Sequence, residues 1–186
     1  MQLVTWYKEL FSYLLPVTIL SSNSDQHEQL KLLRYQGQWL LESKEALYSE
    51  GSSYKPFRLA FAEIKESLPN TKSFLLLGAG LCSAVQILHE KYNCFPTCDI
   101  VDFDETIINL NKKIPSLKTF KHIKFHCECA EDYLQNSNQD YDLIGVDLFH
   151  DMDMAPIILS NLFLKNISKR ANKNGIVIFN TIFSTK

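Results

Sequence analysis

The chain has 186 residues and a mass of 21.5 kDa, with 46% hydrophobic and 22% charged residues. This balance is enough for a proper core and excludes a chain that is disordered overall. The 19 basic and 21 acidic residues give a formal net charge of −2 and are scattered without long runs. The charge pattern therefore gives no indication of nucleic-acid or anionic-membrane binding, and we expect a small-molecule substrate as partner.

The apolar segments favour neither a membrane span nor a secretory signal. Phe11–Leu20 is too short to cross a bilayer and is interrupted by Pro16, and the residues before it lack a net positive charge. Five cysteines are an odd number, and Cys82 and Cys127 fall in apolar stretches, which is typical of reduced thiols. We therefore expect a cytoplasmic protein.

Four of the cysteines raise the question of a metal site. They occur as two pairs: Cys94 with Cys98, and Cys127 with Cys129. The first pair enters one predicted strand, whereas the second pair leaves a neighbouring parallel strand. The pairs are therefore predicted to lie at opposite ends of the sheet, and we expect no metal centre.

The first 53 residues predict a helix and a small antiparallel β unit. Four apolar residues recur at helical spacing and mark a short amphipathic helix whose apolar face needs a partner: Leu3, Trp6, Leu10 and Tyr13. The segments "VTILSS", "LKLLRYQG" and "QWLLESKEAL" then have the character of strands, with a turn at Gln36-Gly37.

Residues 54–186 predict a second, larger domain. After Pro56, a buried helical stripe consists of Phe57, Phe61, Ile64 and Leu68. Apolar strands and amphipathic helices then alternate. The predicted strands are Phe74–Gly78, Cys98–Phe103, Ile123–Cys129, Tyr141–Phe149 and Gly175–Phe183. The predicted helices are Leu81–Tyr92, Glu105–Lys113, Ala130–Gln135 and Pro156–Arg170. This alternation predicts an α/β fold, a Rossmann-like doubly wound parallel sheet.

In such a sheet the ligand lies at the carboxyl ends of the strands. "GAG" (Gly78 to Gly80) follows the first strand and allows a tight turn that faces a ligand, although glycines also end strands for structural reasons. Asp102 ends the second strand, where a carboxylate can accept both ribose hydroxyl protons; the alternative is a solvated loop acid.

Two later strand ends complete the predicted site. "CECAEDYL" after the third strand can frame an adenine ring, or simply complement a helix dipole with its acids. Asp147 ends a very apolar strand and is the best candidate for chemistry, with a structural cap as the alternative. We interpret His150, Asp151 and Asp153, which follow, as a solvated loop; the alternative is a metal site, which the lack of a further ligand disfavours.

The segment "SKEALYSEGSSYKPF" joins the two units. Its side chains Tyr48, Glu50 and Tyr54 are placed to overhang the cleft as a wall of the substrate site. For the aromatic residues alone, core packing is the more common role.

Together these motifs resemble the spermidine-synthase-like, or aminopropyltransferase-like, members of the class I S-adenosylmethionine-dependent methyltransferase superfamily. The family pattern has a joining segment "E-x-x-E-x-x-Y-x-E", a glycine turn, an acidic end to the second strand, an Asp-ended fourth strand and a glycine before the fifth. Here "ESKEALYSE", "LLLGAG", "VDFDE", "YDLIGVDLF" and "NGIVIFN" occupy those places in order.

The resemblance implies S-adenosylmethionine or its decarboxylated form as the cofactor. It also implies a set of cofactor-binding residues: Gly78, Ala79, Gly80, Asp102, Phe103, Cys129 and Ala130. Tyr48 and Asp147 would position and deprotonate an amine that attacks a carbon next to the sulfonium, with Asp147 as general base. Methyl transfer and, less favoured, aminopropyl transfer both remain open.

The chain departs from this family at several positions. The acid of the family's "G-G-G-D-G-G" turn is replaced by Leu81, the adenine-side aspartate by Cys129, and the glutamine after the tyrosine by Ser49. The chain also ends directly after the fifth predicted strand, where the superfamily usually adds two more. We expect the exposed fifth strand to be covered, and one way is a homodimer.

Two other functions remain open. One is a non-catalytic, spermidine-synthase-like binding or scaffolding protein, which the lost donor-site residues favour. The other is a nicotinamide-dependent dehydrogenase, although Ser83 stands where the third glycine of "G-x-G-x-x-G" is expected.

Overall fold

The computed structural model describes residues 4–23, 29–44, 47–120, 122–150 and 153–181. Helix α1 (Trp6–Ser12) comes first and is followed by a four-stranded antiparallel sheet in chain order. The strands of this sheet are β1 (Val17–Ser22), β2 (Leu30–Tyr35), β3 (Gln38–Glu42) and β4 (Leu47–Ser49). The predicted third strand is therefore two strands, because the chain reverses after Glu42 and β4 pairs antiparallel with β3.

The predicted turn between β2 and β3 is present. Gln36 and Gly37 have φ angles of 45° and 77°, and the two flanking residues, Tyr35 and Gln38, pair with each other. Positive φ at both central residues is what a type I′ hairpin needs. The first helix is also present, but its apolar side chains face outward instead of finding the expected partner: Leu10, for example, is 64% exposed.

Among the described residues, five parallel strands form the main sheet in the order β11-β8-β5-β6-β7. Their bounds are β5 (Ser73–Leu77), β6 (Thr97–Asp102), β7 (Ile123–Cys127), β8 (Tyr141–Val146) and β11 (Ala171–Phe179). A short hairpin, β9 (Phe149–His150) with β10 (Asp153–Met154), follows β8. The strand order confirms the predicted doubly wound sheet and places its switch point between β5 and β8.

Helices cover both faces of this sheet, because the central strands are apolar on both sides. The helices are α2 (Lys55–Glu63), α3 (Ser83–Tyr92), α4 (Glu105–Lys113), α5 (Pro115–Lys118), α6 (Ala130–Asn136) and α7 (Asn161–Arg170). Helices α2 to α5 share one core with the N-terminal sheet, whereas α6 and α7 cover the other face. The predicted helix from Pro156 is in fact a 3₁₀ turn over Pro156–Leu159 and then α7, which Ser160 caps by accepting from the Phe163 N–H.

Two strand ends differ from the prediction in a way that matters for the site. The fourth strand stops at Val146 and the fifth at Phe179, so Asp147 and Asn180 both lie just beyond the sheet edge. Cys98 lies near the start of β6 and Cys127 at the end of β7, as predicted. Cys127 is exposed, although it falls in an apolar stretch of the sequence. In the described ranges, we find no helix with the length and apolar character needed to cross a bilayer.

Candidate functional site

A cavity of about 290 Å³ opens at the carboxyl ends of the parallel strands. We call it the switch-point cavity. Seven of the nine predicted site residues line it: Gly78, Gly80, Asp102, Phe103, Cys129, Ala130 and Asp147. Of the other two, Ala79 is buried behind the wall, and the side chain of Tyr48 lies outside the described part of the chain.

The glycine turn after β5 requires a glycine at its first position. Gly78 has a φ of +89°, and a Cβ there would collide with the backbone carbonyl oxygen of Asp147. The two strand ends at the switch point therefore touch through backbone alone. Gly80 also has positive φ, and its carbonyl accepts a hydrogen bond of 2.8 Å from Asn111 Nδ2 on α4, which fixes the far side of the turn.

Asp102 is 8% exposed and is held by backbone donors on both carboxylate oxygens. The Ala79 N–H donates to Oδ2 at 2.8 Å, and the Asp104 N–H donates to Oδ1 at 2.9 Å. Burial raises the pKa of Asp102 to about 6, although these two hydrogen bonds act to lower it. Each carboxylate oxygen keeps a second lone pair, so the group can still accept two hydroxyl donors from a ligand.

Asp147 is the centre of a small cluster at the other wall of the cavity. Asn180 Nδ2 donates to Asp147 Oδ1 at 2.7 Å, and the Tyr54 hydroxyl donates to the same oxygen at 3.3 Å. Asn180 Nδ2 also lies 3.0 Å from the Tyr54 hydroxyl oxygen. Burial raises the pKa of Asp147 to about 6, against the effect of both donors. Because both hydrogen bonds go to Oδ1, Oδ2 is the oxygen available to a ligand.

Asn180 was missed by the sequence prediction because the predicted fifth strand ran through it to Phe183. The structure places it one residue past the last paired position, where Phe179 pairs with Val146, and no pattern in the sequence marks that position. Tyr54 was predicted as a wall residue, and the structure places its hydroxyl against Asp147. Burial and the nearby Asp147 carboxylate raise the pKa of Tyr54, so this hydroxyl remains a donor.

The third strand end presents the start of α6 to the cavity. Cys129 is the N-cap of α6 but its side chain makes no capping hydrogen bond, and Ala130 is the first helical residue. Glu128 and Glu131 also line the cavity, although the sequence prediction gave Glu131 at most a role at the helix dipole and gave Glu128 none. The segment around the start of α6 therefore adds two carboxylates to the lining of the cavity.

The glycine turn differs locally from the family pattern. Leu81, at the position of the family's acid, is fully buried and does not line the switch-point cavity. Ser49 and Ser83, which replace a glutamine and a glycine, are buried and hydrogen-bonded to each other through their hydroxyls. The position that carries the acid in the family is therefore part of the hydrophobic core and not of the cavity lining.

The charges around the cavity have one sign. Every charged side chain among the described lining residues is a carboxylate: Asp102, Glu128, Glu131 and Asp147. A ligand that carries positive charge would be attracted to this cavity, whereas a ligand carboxylate or phosphate would find no cationic partner among these residues.

Comparison with known proteins agrees with this geometry. Residues 64–182 match the family model described as "Spermine/spermidine synthase domain". A polyamine aminopropyltransferase of Lachnoclostridium phytofermentans is 23% identical over 159 residues, which is 83% of this chain and 53% of that protein. The chain thus spans about half the length of the curated relatives it matches.

Solved structures show the same fold at low sequence identity. Spermidine synthase from Thermotoga maritima superposes with a TM-score of 0.62 at 14% identity, covering 86% of this chain and 55% of that one. A probable spermidine synthase from Corynebacterium glutamicum gives a TM-score of 0.69 at 13% identity, covering 88% and 63%. The strand order, the switch-point cavity and the matched family model lead to one conclusion: this chain belongs to the spermine/spermidine synthase domain family.

Proposed function

We propose that the chain is a transferase that takes its aminopropyl group from decarboxylated S-adenosylmethionine and passes it to a small amine. The observation that carries this proposal is the purely acidic charge of the switch-point cavity. Decarboxylated S-adenosylmethionine has a sulfonium and an ammonium and no carboxylate, so it complements four acids. S-adenosylmethionine itself would place its carboxylate among them without a cation, which makes methyl transfer the less favoured reaction.

The nucleoside half of the donor fits the residues that line the cavity. The two lone pairs that Asp102 keeps match the two ribose hydroxyls, and the start of α6 at Cys129 and Ala130 provides the surface for the adenine. The name of a related solved structure, a spermidine synthase in complex with the transition-state analogue AdoDATO, supports a donor of this kind.

In the proposed reaction, the amine nitrogen attacks the methylene carbon bound to the sulfonium. The new C–N bond forms as the C–S bond breaks, methylthioadenosine leaves, and the amine proton passes to Asp147. With a pKa of about 6, Asp147 is a carboxylate in about nine molecules of ten at pH 7 and can take that proton. Asn180 and Tyr54 hold the carboxylate through Oδ1, which leaves Oδ2 for the amine.

A second function is favoured by one observation: Leu81, at the position of the family's acid, is buried in the hydrophobic core and does not line the cavity. With no acid at Leu81, the donor ammonium depends on the other carboxylates of the cavity. If these do not hold it in line, the protein binds the nucleoside without transfer, as a non-catalytic member of the family would.

Calorimetric titration separates these functions. We expect decarboxylated S-adenosylmethionine and methylthioadenosine to bind, and S-adenosylmethionine and NAD to bind at least tenfold more weakly, because both bring an anion into the acidic cavity. Equal affinity for S-adenosylmethionine would overturn the aminopropyl proposal. Nucleoside binding without product formation from any small diamine would leave the non-catalytic function.

The Asp102→Ala variant tests the placement of the ribose. It should abolish nucleoside binding, since two charge-assisted hydrogen bonds are worth about 1.5–3 kcal/mol each. Asp142→Ala is a matched control, because Asp142 also accepts two backbone N–H groups, of Lys72 and Ser73, but at the opposite end of the sheet. Loss of affinity in both variants, or in neither, would contradict the assignment.

A further inference from the structure

One buried carboxylate of the main sheet has no part in the proposed reaction. Asp99 lies in the middle of β6 and is 4% exposed, although the strand around it is apolar. A buried charge strongly destabilises a folded protein unless it is paired and hydrogen-bonded. An apolar side chain would fill this place without that cost, so the partners of Asp99 indicate what it does.

Both carboxylate oxygens of Asp99 have a partner. His126 Nε2 on β7 lies 2.7 Å from Oδ1, and the Tyr141 hydroxyl at the start of β8 donates to Oδ2 at 3.1 Å. The Tyr141 hydroxyl is hydrogen-bonded in turn to the Tyr133 hydroxyl on α6. We call these four residues the Asp99 network. Because a carboxylate can only accept, His126 and Tyr141 donate to Asp99, and Tyr133 donates to Tyr141.

The Asp99 network joins α6 to three strands of the sheet. Tyr133 and Tyr141 are 7% and 0% exposed, and the ring centroids of Tyr133 and His126 are 4.8 Å apart. Hydrogen bonds in such buried surroundings are stronger than in water, and a satisfied network of them holds one arrangement. Tyr133 is therefore held both by its ring and by its hydroxyl.

Helix α6 depends on contacts of this kind. It has seven residues, and its N-cap, Cys129, makes no capping hydrogen bond. An isolated helix of this length is not stable in water, so tertiary contacts determine where it lies. Its first residue, Ala130, lines the switch-point cavity, and Tyr133 follows Ala130 by less than one helical turn. A bond that holds Tyr133 therefore also holds this wall of the cavity.

We propose that Tyr133 is a positioning residue for the nucleoside: through its hydroxyl, the Asp99 network fastens the start of α6 where it forms the adenine side of the switch-point cavity. This inference rests on the proposed function, since it takes the ligand of the cavity to be a nucleoside. Tyr133 itself is not among the residues that line the cavity, so it acts through Ala130 and its neighbours.

The Tyr133→Phe variant removes the hydroxyl and keeps the ring that contacts His126. The apparent affinity falls with the fraction of molecules in which α6 is in place. We expect the Kd of methylthioadenosine, measured by calorimetry, to rise about five- to tenfold, the effect of about one hydrogen bond. With decarboxylated S-adenosylmethionine, KM should rise by the same factor while kcat stays, because Asp147 and its two donors are untouched.

Ser73→Ala is the matched control for a purely structural effect. The Ser73 hydroxyl also makes two hydrogen bonds, to Asp142 Oδ2 at 3.3 Å and from the Asp142 N–H at 3.0 Å, but at the opposite end of the sheet. Ser73→Ala should lower the urea midpoint about as much as Tyr133→Phe does and leave the Kd of methylthioadenosine unchanged. An equal loss of affinity in the two variants would mean that stability alone, and not the place of α6, controls binding.

A double-mutant cycle with Tyr141→Phe tests whether the two hydroxyls act as one chain. Because Tyr133 acts through Tyr141, the variant without either hydroxyl should lose no more affinity than Tyr141→Phe alone. Fully additive losses would show that the hydroxyls act independently and would overturn the inference. If Tyr133→Phe does not fold, Tyr141→Phe breaks the same chain and is compared with Ser73→Ala in its place.

Amide hydrogen exchange follows α6 without any ligand. Residues 130–136 should exchange faster in Tyr133→Phe than in the wild type, whereas α7 on the same face of the sheet should not change. A wild-type chain that binds no nucleoside contradicts the proposed function, and the exchange of α6 then decides whether the network fastens this helix. A Tyr133→Phe variant with wild-type affinity, or with wild-type exchange in α6, overturns the inference.

Discussion

Replacing Asp147 by asparagine should make the protein more stable at neutral pH. The side chains have the same shape, and the amide oxygen of the variant can still accept from Asn180 and Tyr54, as Oδ1 does now. What the variant removes is a carboxylate whose ionisation burial disfavours. The folded-state pKa of Asp147 is raised from 3.8 to about 6.

The sign and size of the effect follow from linkage. A raised carboxyl pKa means that the folded state binds more protons than the unfolded state between about pH 4 and pH 6, so stability falls as pH rises through that window. The difference of about 2 pKa units means that the ionised Asp147 destabilises the folded state by about 3 kcal/mol at pH 7 and above. On the order of 1 kcal/mol of stability should be lost between pH 5 and pH 7.5 because Asp147 ionises over this range.

Urea unfolding at pH 5 and pH 7.5 measures this loss. The difference in free energy of unfolding between wild type and Asp147→Asn should change by on the order of 1 kcal/mol between the two conditions, because the titrating groups that both proteins share largely cancel. Asp132→Asn, an exposed acid on α6, is the control and should show no such difference. An equal pH dependence in wild type and Asp147→Asn would refute the reasoning, because it would mean that Asp147 is well solvated.

Three further changes have defined outcomes. Asn180→Leu removes a charge-assisted donor worth about 1.5–3 kcal/mol, so it should raise the pKa of Asp147 by about one to two units. The acidic limb of the pH–rate profile should then move from about pH 6 to about pH 7–8, and a limb that does not move contradicts this role of Asn180. Tyr141→Phe leaves the buried Asp99 Oδ2 without the 3.1 Å hydrogen bond from the Tyr141 hydroxyl. It should lower the free energy of unfolding, measured in urea, by about 1–3 kcal/mol. If the variant has the same urea midpoint as the wild type, water replaces the hydroxyl. Cys129→Asp gives α6 the capping acceptor it lacks and should add about 1 kcal/mol in the same assay, with Cys129→Ala as a control that gains nothing.

The strand ends that carry the site could largely be predicted from the sequence. Gly78, Asp102 and Asp147 each follow a short apolar run, and a parallel sheet brings its carboxyl ends to one edge whatever the details of packing. Asn180 could not be found in this way. Apolar residues continue past it in "IFNTIF", so the pattern does not mark the place where pairing with β8 ends.

Burial of polar groups escaped prediction for a related reason. Helical periodicity shows that Trp6 and Leu10 share a face, but not that Glu9 pairs with Arg34 of β2 while Leu10 stays 64% exposed. In the same way Asp99, in the apolar run "CDIVDF", gives no sign that it hydrogen-bonds His126 at 2.7 Å. Such partners come from distant parts of the chain, so no local pattern reports them.

The stability cost of the site bears on whether it is a working site or a remnant. Burial raises the pKa of both Asp102 and Asp147 to about 6, so each ionised carboxylate destabilises the folded state at neutral pH. Apolar or amide side chains would fill the same space without that cost, and a scaffold needs only the space filled. Carboxylates that accept ribose hydroxyls and an amine proton need the charge itself. The retained acids therefore favour the transferase over the non-catalytic protein, even though Leu81 has replaced the acid of the glycine turn.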